Sequence, residues 1–400
     1  MVVRTRPGTG TNQEAVRRHN LATMLRAVHQ SGHTSRARLT GSMALNRSTI
    51  GGLATELEEL GLVRHTDPVA TTGAGRPSAG IEVVSDGPFA VAIDVGVDRV
   101  VVGRVGLGGR VLRREQHPLP ADPDPRAVGD VVADLVARVG EPTTSAPLVG
   151  LGISVPGVVQ RSSGVVQFAP NLGWHDVPFV QVVEDRIHSG VPIDLGNDAD
   201  LGARAEHLRG SGLGVDHLVY VSGDVGVGAG VITGGAPLAG AAGYAGEVGH
   251  MSYDPEGLPC HCGNRGCWET EIGAHAIARA IGAPEDSVAS LGAVLDGYDG
   301  DLDALRDIAR HVGRGLATVV NMLNPQVVVL GGYLASLHAL VGPDIVRATH
   351  DTAMQGPGRM VRLTTPALGG DAVLLGAAEL AFEPLLEDPV GILHRKGPGT

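Results

Sequence analysis

The periodicity of apolar residues changes character near Phe89, and no single fold class accommodates both sides of that change. Before it, apolar residues recur at helical spacing: Val16, Leu21, Met24, Leu25 and Val28 form one stripe, and Ile50, Leu53, Leu57 and Leu60 a second. After it, short Val/Ile-rich runs alternate with helical segments, the pattern of an α/β fold. The 400 residues are 43% hydrophobic and 18% charged. That is enough apolar material for more than one core, and it excludes disorder over most of the chain.

The first 86 residues read as three helices and a hairpin. One helix runs from Gln13 to Gln30 and is stopped by Ser31-Gly32. Thr34 or Ser35 caps a second from Arg36 to Thr40, and a turn occupies Gly41 to Leu45. Asn46 caps a third, Arg47 to Leu60, ended by Gly61. Residues 62–65 and 81–84 read as strands flanking a Gly-rich loop, Thr71 to Pro77, with Arg76 at its tip. This is the order of a winged helix-turn-helix.

Charge follows the same division. The chain carries −12 overall, which taken whole disfavours a nucleic-acid partner. Ten arginines against five acidic residues leave residues 1–80 at +5, so the rest stands at −17. A basic arm on an acidic body restores a nucleic-acid partner for the arm alone. Arg47, Ser48 and Thr49 open the third helix, where a recognition helix meets base edges. Arg36 and Arg38 open the second and face phosphates, and Arg76 suits a narrow minor groove. A recognition helix works in symmetric pairs, which predicts a homodimer or tetramer on operator DNA.

Beyond Phe89 two segments share one plan. Val91 to Gly96 is a buried strand ending in Asp94-Val95-Gly96, and Leu218 to Gly226 repeats it through Gly223-Asp224-Val225-Gly226. That duplication predicts two related lobes. All three cysteines fall within eight positions, in Cys260-His261-Cys262-Gly263-Asn264-Arg265-Gly266-Cys267. Three thiols so spaced supply three ligands of a tetrahedral metal site, and His250 is a suitable fourth. A closed Cys3His shell is structural rather than catalytic. No apolar run reaches the roughly 18 residues of a membrane span, and Met1 to Gly10 lacks the apolar core of a secretory signal. A cytoplasmic protein is expected.

Residues 89–385 resemble the ROK family (repressor, open reading frame, kinase), within the two-lobed sugar-kinase and actin-like fold. The runs Gly243 to His250 and Cys260 to Glu269 carry that resemblance. Leu151 to Gly157, Asn171 to Trp174 and Asn197-Asp198-Ala199 follow it in order. The N-terminal segment resembles the DNA-binding domain of the family's repressor branch. The expected organisation is a winged helix-turn-helix over 1–86 and a sugar-sensing domain over 87–400. The latter has lobes at 87–200 and 201–370 and a C-terminal helix returning to the first.

The resemblance implies structural Zn²⁺ on His250, Cys260, Cys262 and Cys267. It implies a sugar or sugar phosphate held by Gly157, Asn197, Asp198, Glu247, His250 and Glu269. In kinase members Asp198 is the base that accepts the proton of the attacking hydroxyl. Kinase members also carry Asp-x-Gly-Gly-Thr and Gly-Thr-Gly-x-Gly phosphate loops. Here Val97 replaces the second glycine of the first loop, Asp98 its threonine, and Asp224 the threonine of the second. Like charges about 4 Å apart repel by several kcal/mol at an effective dielectric of about 20, which sets these loops against a polyphosphate. ATP and Mg²⁺ are therefore not expected, and Asp198 is a vestigial base. A sugar-responsive repressor is the predicted function; the alternative is an ATP-dependent, glucokinase-like sugar kinase carrying a DNA-binding domain.

Overall fold

A computed structural model describes residues 13–67, 80–241 and 243–394. Helices α1 (Gln13–Ser31), α2 (Arg36–Met43) and α3 (Arg47–Glu59) pack over a three-stranded sheet. In it β3 (Gly80–Val83) lies between β1 (His33–Ser35) and β2 (Val63–Thr66), antiparallel to both. Ser35 Oγ accepts from Arg38 N at 3.2 Å and Asn46 Oδ1 from Thr49 N at 2.8 Å, so both helices start at side-chain caps. The turn expected from Gly41 is instead a last turn of α2, which ends at Ala44 with φ of 53°. The strand β1 was not anticipated. At three residues it is too short for alternation to be legible.

The α/β region is built from two sheets of the same design. The first sheet orders as β6 (Arg110–Pro118), β5 (Arg99–Gly106), β4 (Phe89–Val95), β7 (Leu148–Val155) and β11 (Ile193–Asn197). The second orders as β14 (Ala236–Pro237), β13 (Val227–Thr233), β12 (Leu218–Gly223), β15 (Val327–Gly332) and β16 (Arg362–Thr364). In each, the middle strand is parallel to one side and antiparallel to the other. The duplication read from the sequence is thus a duplication of topology. A small sheet of β8 (Val158–Gln160), β9 (Val165–Ala169) and β10 (Trp174–Val177) sits beside the first.

Helices α4 (Pro125–Val139) and α5 (Phe179–Ile187) cover one face of the first sheet, around Phe89, Ile93, Ile153 and Trp174. The second lobe is cored by α7 (Trp268–Ile272), α8 (Ala274–Ile281), α9 (Leu291–Asp296), α10 (Asp303–Leu323) and α11 (Tyr333–Thr352). The short α12 (Gln355–Met360) follows. Helix α6 (Asp198–Arg209) leads out of β11 and packs against both β13 and α13 (Ala372–Glu387). The latter lies on β4 and β7, and its Phe382 and Leu385 join one apolar cluster with Met24, Leu25 and Val28 of α1. The N-terminal unit and the first lobe therefore share a core. Among the described residues no helix is long and apolar enough to cross a membrane.

Candidate functional site

The carboxyl ends of β7 and β11 in the first lobe face that of β12 in the second across a cleft. The cleft holds a cavity of about 380 Å³. Gly157, Asn197, Asp198, Glu247, His250 and Glu269, the six predicted sugar ligands, all line it.

Asn197 organises one wall. Its Oδ1 accepts from Ala199 N at 2.8 Å and Asp200 N at 3.1 Å, capping α6. Its Nδ2 donates to Gly157 O at 2.9 Å, tying the helix to the turn after β7. Gly157 has φ of 105°, and a Cβ there would lie 2.3 Å from Phe168 O, so only glycine fits. On the other wall Glu269, in the first turn of α7, accepts from Val227 N at 2.8 Å through Oε2.

Charge in the cavity is one-sided. Asp198, Asp200, Asp224, Glu247 and Glu269 line it, with no Arg or Lys among the described residues. Burial and the nearby Asp224 and Asp94 push Asp198 up to about 7. Burial and Glu247 push Asp200 up to about 7 as well. Burial, Asp94 and Asp98 raise Asp224 to about 6. The side chain of Asp224 is open to the water of the cleft, so its shift is the most readily screened of the three.

Asp98 departs from expectation. Its carboxylate pairs with Arg99 Nη1 at 3.0 Å and does not line the cavity. The tight β4–β5 turn, closed by Gly96 N to Arg99 O at 2.8 Å, carries the pair on its surface. Of Asp98 and Asp224, Asp224 is the one that lines the cavity, and Asp98 remains near enough to raise its proton affinity.

His250, Cys260, Cys262 and Cys267 converge, with ligand atoms within 4.8 Å of one another. His250 Nδ1 lies 3.6 Å from Cys260 Sγ, and the sulfurs of Cys262 and Cys267 are 3.6 Å apart. Tetrahedral bonds of about 2.3 Å to sulfur and about 2.05 Å to nitrogen give edges of about 3.8 Å and about 3.6 Å, so the donor set fits a tetrahedral metal ion. Burial and the two neighbouring thiols push Cys267 up to about 12, a penalty that a cation in their midst would reverse. The other ring nitrogen of His250, Nε2, is 3.9 Å from Glu247 Oε2. One imidazole thus joins the thiol cluster to the cavity wall.

In the N-terminal unit, Arg38 and Arg47 are exposed and make no ion pair among the described residues. Ser48 and Thr49 both donate their hydroxyls to Asn46 Oδ1, at 2.7 and 3.0 Å, which fixes them at the tip of α3. Arg36, expected to face phosphate, is part-buried and donates to His65 Nε2 at 3.0 Å, fastening α2 to β2. Arg76 lies outside the described residues.

Asn171, Asp200 and His261 also line the cavity and were not among the predicted ligands. Asp200 follows Asp198 by two positions, a spacing that ordinarily separates helix faces. At the first turn of α6 both flank the cleft.

A model of the ROK family matches residues 90–383. The chain belongs to the ROK family. Within the ROK proteins, the xylose repressor of Bacillus spizizenii is 28% identical over 382 residues, covering 94% of this chain and 98% of that protein. The glucokinase of Streptomyces coelicolor is 33% identical over 324 residues, covering 75% of this chain and 98% of that one. A solved ROK family transcriptional regulator, a homologue of the E. coli MLC protein, superposes with a TM-score of 0.72 at 25% identity, over 94% of this chain and 98% of its own. Likeness to the regulators spans nearly the whole ROK chain, whereas likeness to the glucokinase accounts for three quarters of it.

Proposed function

We propose that this chain is a sugar-responsive transcriptional repressor of carbohydrate genes, with a DNA-binding domain at 1–86, a sensor at 87–400 and a degenerate ATP site. The observation that carries it is one chain in which an N-terminal unit of three helices and a three-stranded sheet shares a core with a two-lobed cleft lined by Asp224. Sugar hydroxyls would donate to Asp198, Glu247 and Glu269, since ionised acceptors make the stronger hydrogen bonds. Asn197 and the turn at Gly157 would fix the ring's position.

A free sugar suits the cavity better than a sugar phosphate. Among the described residues no guanidinium or ammonium lines it. Three backbone donors on its walls are already occupied: Ala199 N and Asp200 N by Asn197, and Val227 N by Glu269. The same features disfavour ATP. The Cys3His set is assigned to structural zinc, which would fix His250 and, through Cys267, the start of α7 that carries Glu269.

Arg47, with Ser48 and Thr49, would enter the major groove, and Arg38 and Arg76 would meet the backbone or minor groove. Sugar between the lobes favours one closure state. In a homodimer or dimer of dimers that state would reset the spacing of two recognition helices and so the operator affinity. A cytoplasmic location follows from this role. Asp198 at the base position keeps a kinase reading as the second choice.

Calorimetry with d-xylose, d-glucose, N-acetyl-d-glucosamine and glucose 6-phosphate, each with and without ATP, separates the two. Heat with a free sugar alone is expected. ATP-dependent phosphorylation of any of them would refute the degenerate ATP site.

A further inference from the structure

Three side chains from distant parts of the sequence meet in the interior between the N-terminal unit and the sensor. His29 of α1, Glu379 of α13 and Arg209 of α6 are 0%, 2% and 9% exposed. His29 Nε2 lies 3.1 Å from both oxygens of Glu379, and Arg209 Nε donates to Glu379 Oε1 at 2.7 Å. Arg209 Nη1 donates to the backbone carbonyls of His29 at 3.1 Å and Gly108 at 3.0 Å. Gly108 N in turn donates to His29 Nδ1 at 3.1 Å. Arg209 Nη2 also lies 2.6 Å from His29 Nε2, so the guanidinium touches the imidazole as well as the carboxylate. Burial opposes ionisation of Glu379, yet the imidazole and guanidinium beside it hold it down at about 2.

The knot stands at the last residue of α6. The first turn of the same helix carries Asn197, Asp198 and Asp200 into the sugar cavity. Twelve residues at 1.5 Å each make a rod of about 18 Å between the two. The rod is seated closely on both sides. A Cβ at Gly376 of α13 would lie 2.0 Å from Leu201 O, and one at Gly230 of β13 would lie 2.3 Å from Ala199 O. Arg204 adds an ion pair to Glu383 and a bond to Glu379 O at 3.2 Å. A helix so packed moves as a body rather than bending.

We infer that α6 carries cleft occupancy to the DNA-binding unit, and that Arg209, locked to Glu379 and to the end of α1, is the positioning residue that hands it over. This rests on the sugar-sensing reading above. Arg209 touches neither the cavity nor the exposed face of α3, so its loss uncouples two functions without abolishing either. Guanidinium is required because one group must reach a carboxylate and two carbonyls at once, which an ammonium on a flexible stem does less well.

The test compares full-length wild type with Arg209→Met, Arg209→Lys and the near-isosteric Glu379→Gln, which serves if Arg209→Met does not fold. The probes are d-xylose, d-glucose and N-acetyl-d-glucosamine, and the DNA duplex that the wild type selects from a random pool. In the wild type the sugar that gives heat should change duplex affinity by about 5–150-fold and alter amide exchange in the last turn of α1 and at Gly108. In Arg209→Met and Glu379→Gln sugar affinity should stay within about threefold, while its effect on duplex affinity falls below about twofold and the exchange change at α1 disappears. Arg209→Lys should fall between. A full sugar effect on DNA in Arg209→Met or Glu379→Gln overturns the inference. So does wild-type sugar binding with no exchange change at α1, which leaves the sugar reading standing. If no sugar gives heat, the sugar reading itself falls, and this inference with it.

Discussion

Replacing Asp198 with Asn should stabilise the sugar-free protein, and more at pH 7.5 than at pH 5. The carboxyl is lifted from its ordinary 3.8 to about 7, first by burial and then by the charges of Asp224 and Asp94. The native state therefore holds the Asp198 proton more tightly than the unfolded chain does. Between those two values the folded protein binds more protons, so stability falls as pH rises, and the full penalty is reached above about 7. Linkage gives a cost of about 1.7 kcal/mol at pH 5 and about 4 kcal/mol at pH 7.5, a difference of about 2.5 kcal/mol. Cavity water reaches the carboxylate, and halving for that screening leaves about 1.2 kcal/mol. Asparagine has almost the same shape and does not titrate, and whatever its own burial costs cancels between the two pH values. Urea unfolding followed by tryptophan fluorescence reads both lobes, because Trp174 lies in the first and Trp268 in the second, each 2% exposed or less. An Asp198→Asn effect equal at the two pH values would refute the electrostatic reasoning.

Arg47→Ala should weaken operator binding by about 1–3 kcal/mol, measured by fluorescence anisotropy, and leave sugar calorimetry unchanged. Cys267→Ser should lower the metal content from one ion per chain to none by elemental analysis. Sugar affinity should fall at least about tenfold with it, because His250 and Glu269 lose their common anchor. Gly157→Ala should cost about 1–3 kcal/mol in urea unfolding, from its left-handed backbone and the clash with Phe168 O, and should weaken sugar binding in calorimetry.

What the chain order makes legible is whatever depends on local spacing. The stripe of Leu21, Met24, Leu25 and Val28 yields α1 because burial follows helical period, and Asn46 marks the start of α3 because its side-chain oxygen can accept from the free N–H of Thr49 three residues on. The thiol cluster is legible for the same reason, its three sulfurs lying within one loop. Side-chain direction is less so. Arg36 reads as a phosphate contact until the fold brings His65 beside it, and Asp98 reads as a cleft charge until Arg99 turns it outward. The His29–Glu379 contact spans 350 positions and belongs to no local pattern. The burial of a histidine and a glutamate there follows only from the return of α13 to the first sheet.

Asp224 bears on the proposed loss of phosphoryl transfer at the phosphate turn. It stands where kinase relatives carry a threonine donor, so it removes a phosphate contact and adds a like charge. It also raises the proton affinity of Asp198, which it faces across the cleft. A base poised near 7 is about half protonated at neutral pH, which costs only about twofold in the ionised form and is no obstacle to proton transfer. For a group that only holds a sugar the same poise is useful: a carboxyl can donate to a ring oxygen, and a carboxylate can accept from a hydroxyl. The substitution in the second lobe thus bears on the proposed degenerate ATP site through the phosphate turn, and it leaves in place the carboxyl that a sensor would use. Asp198 therefore suits a sensor and a base alike, and the proposed loss of phosphoryl transfer rests on Asp224 in the phosphate turn rather than on Asp198.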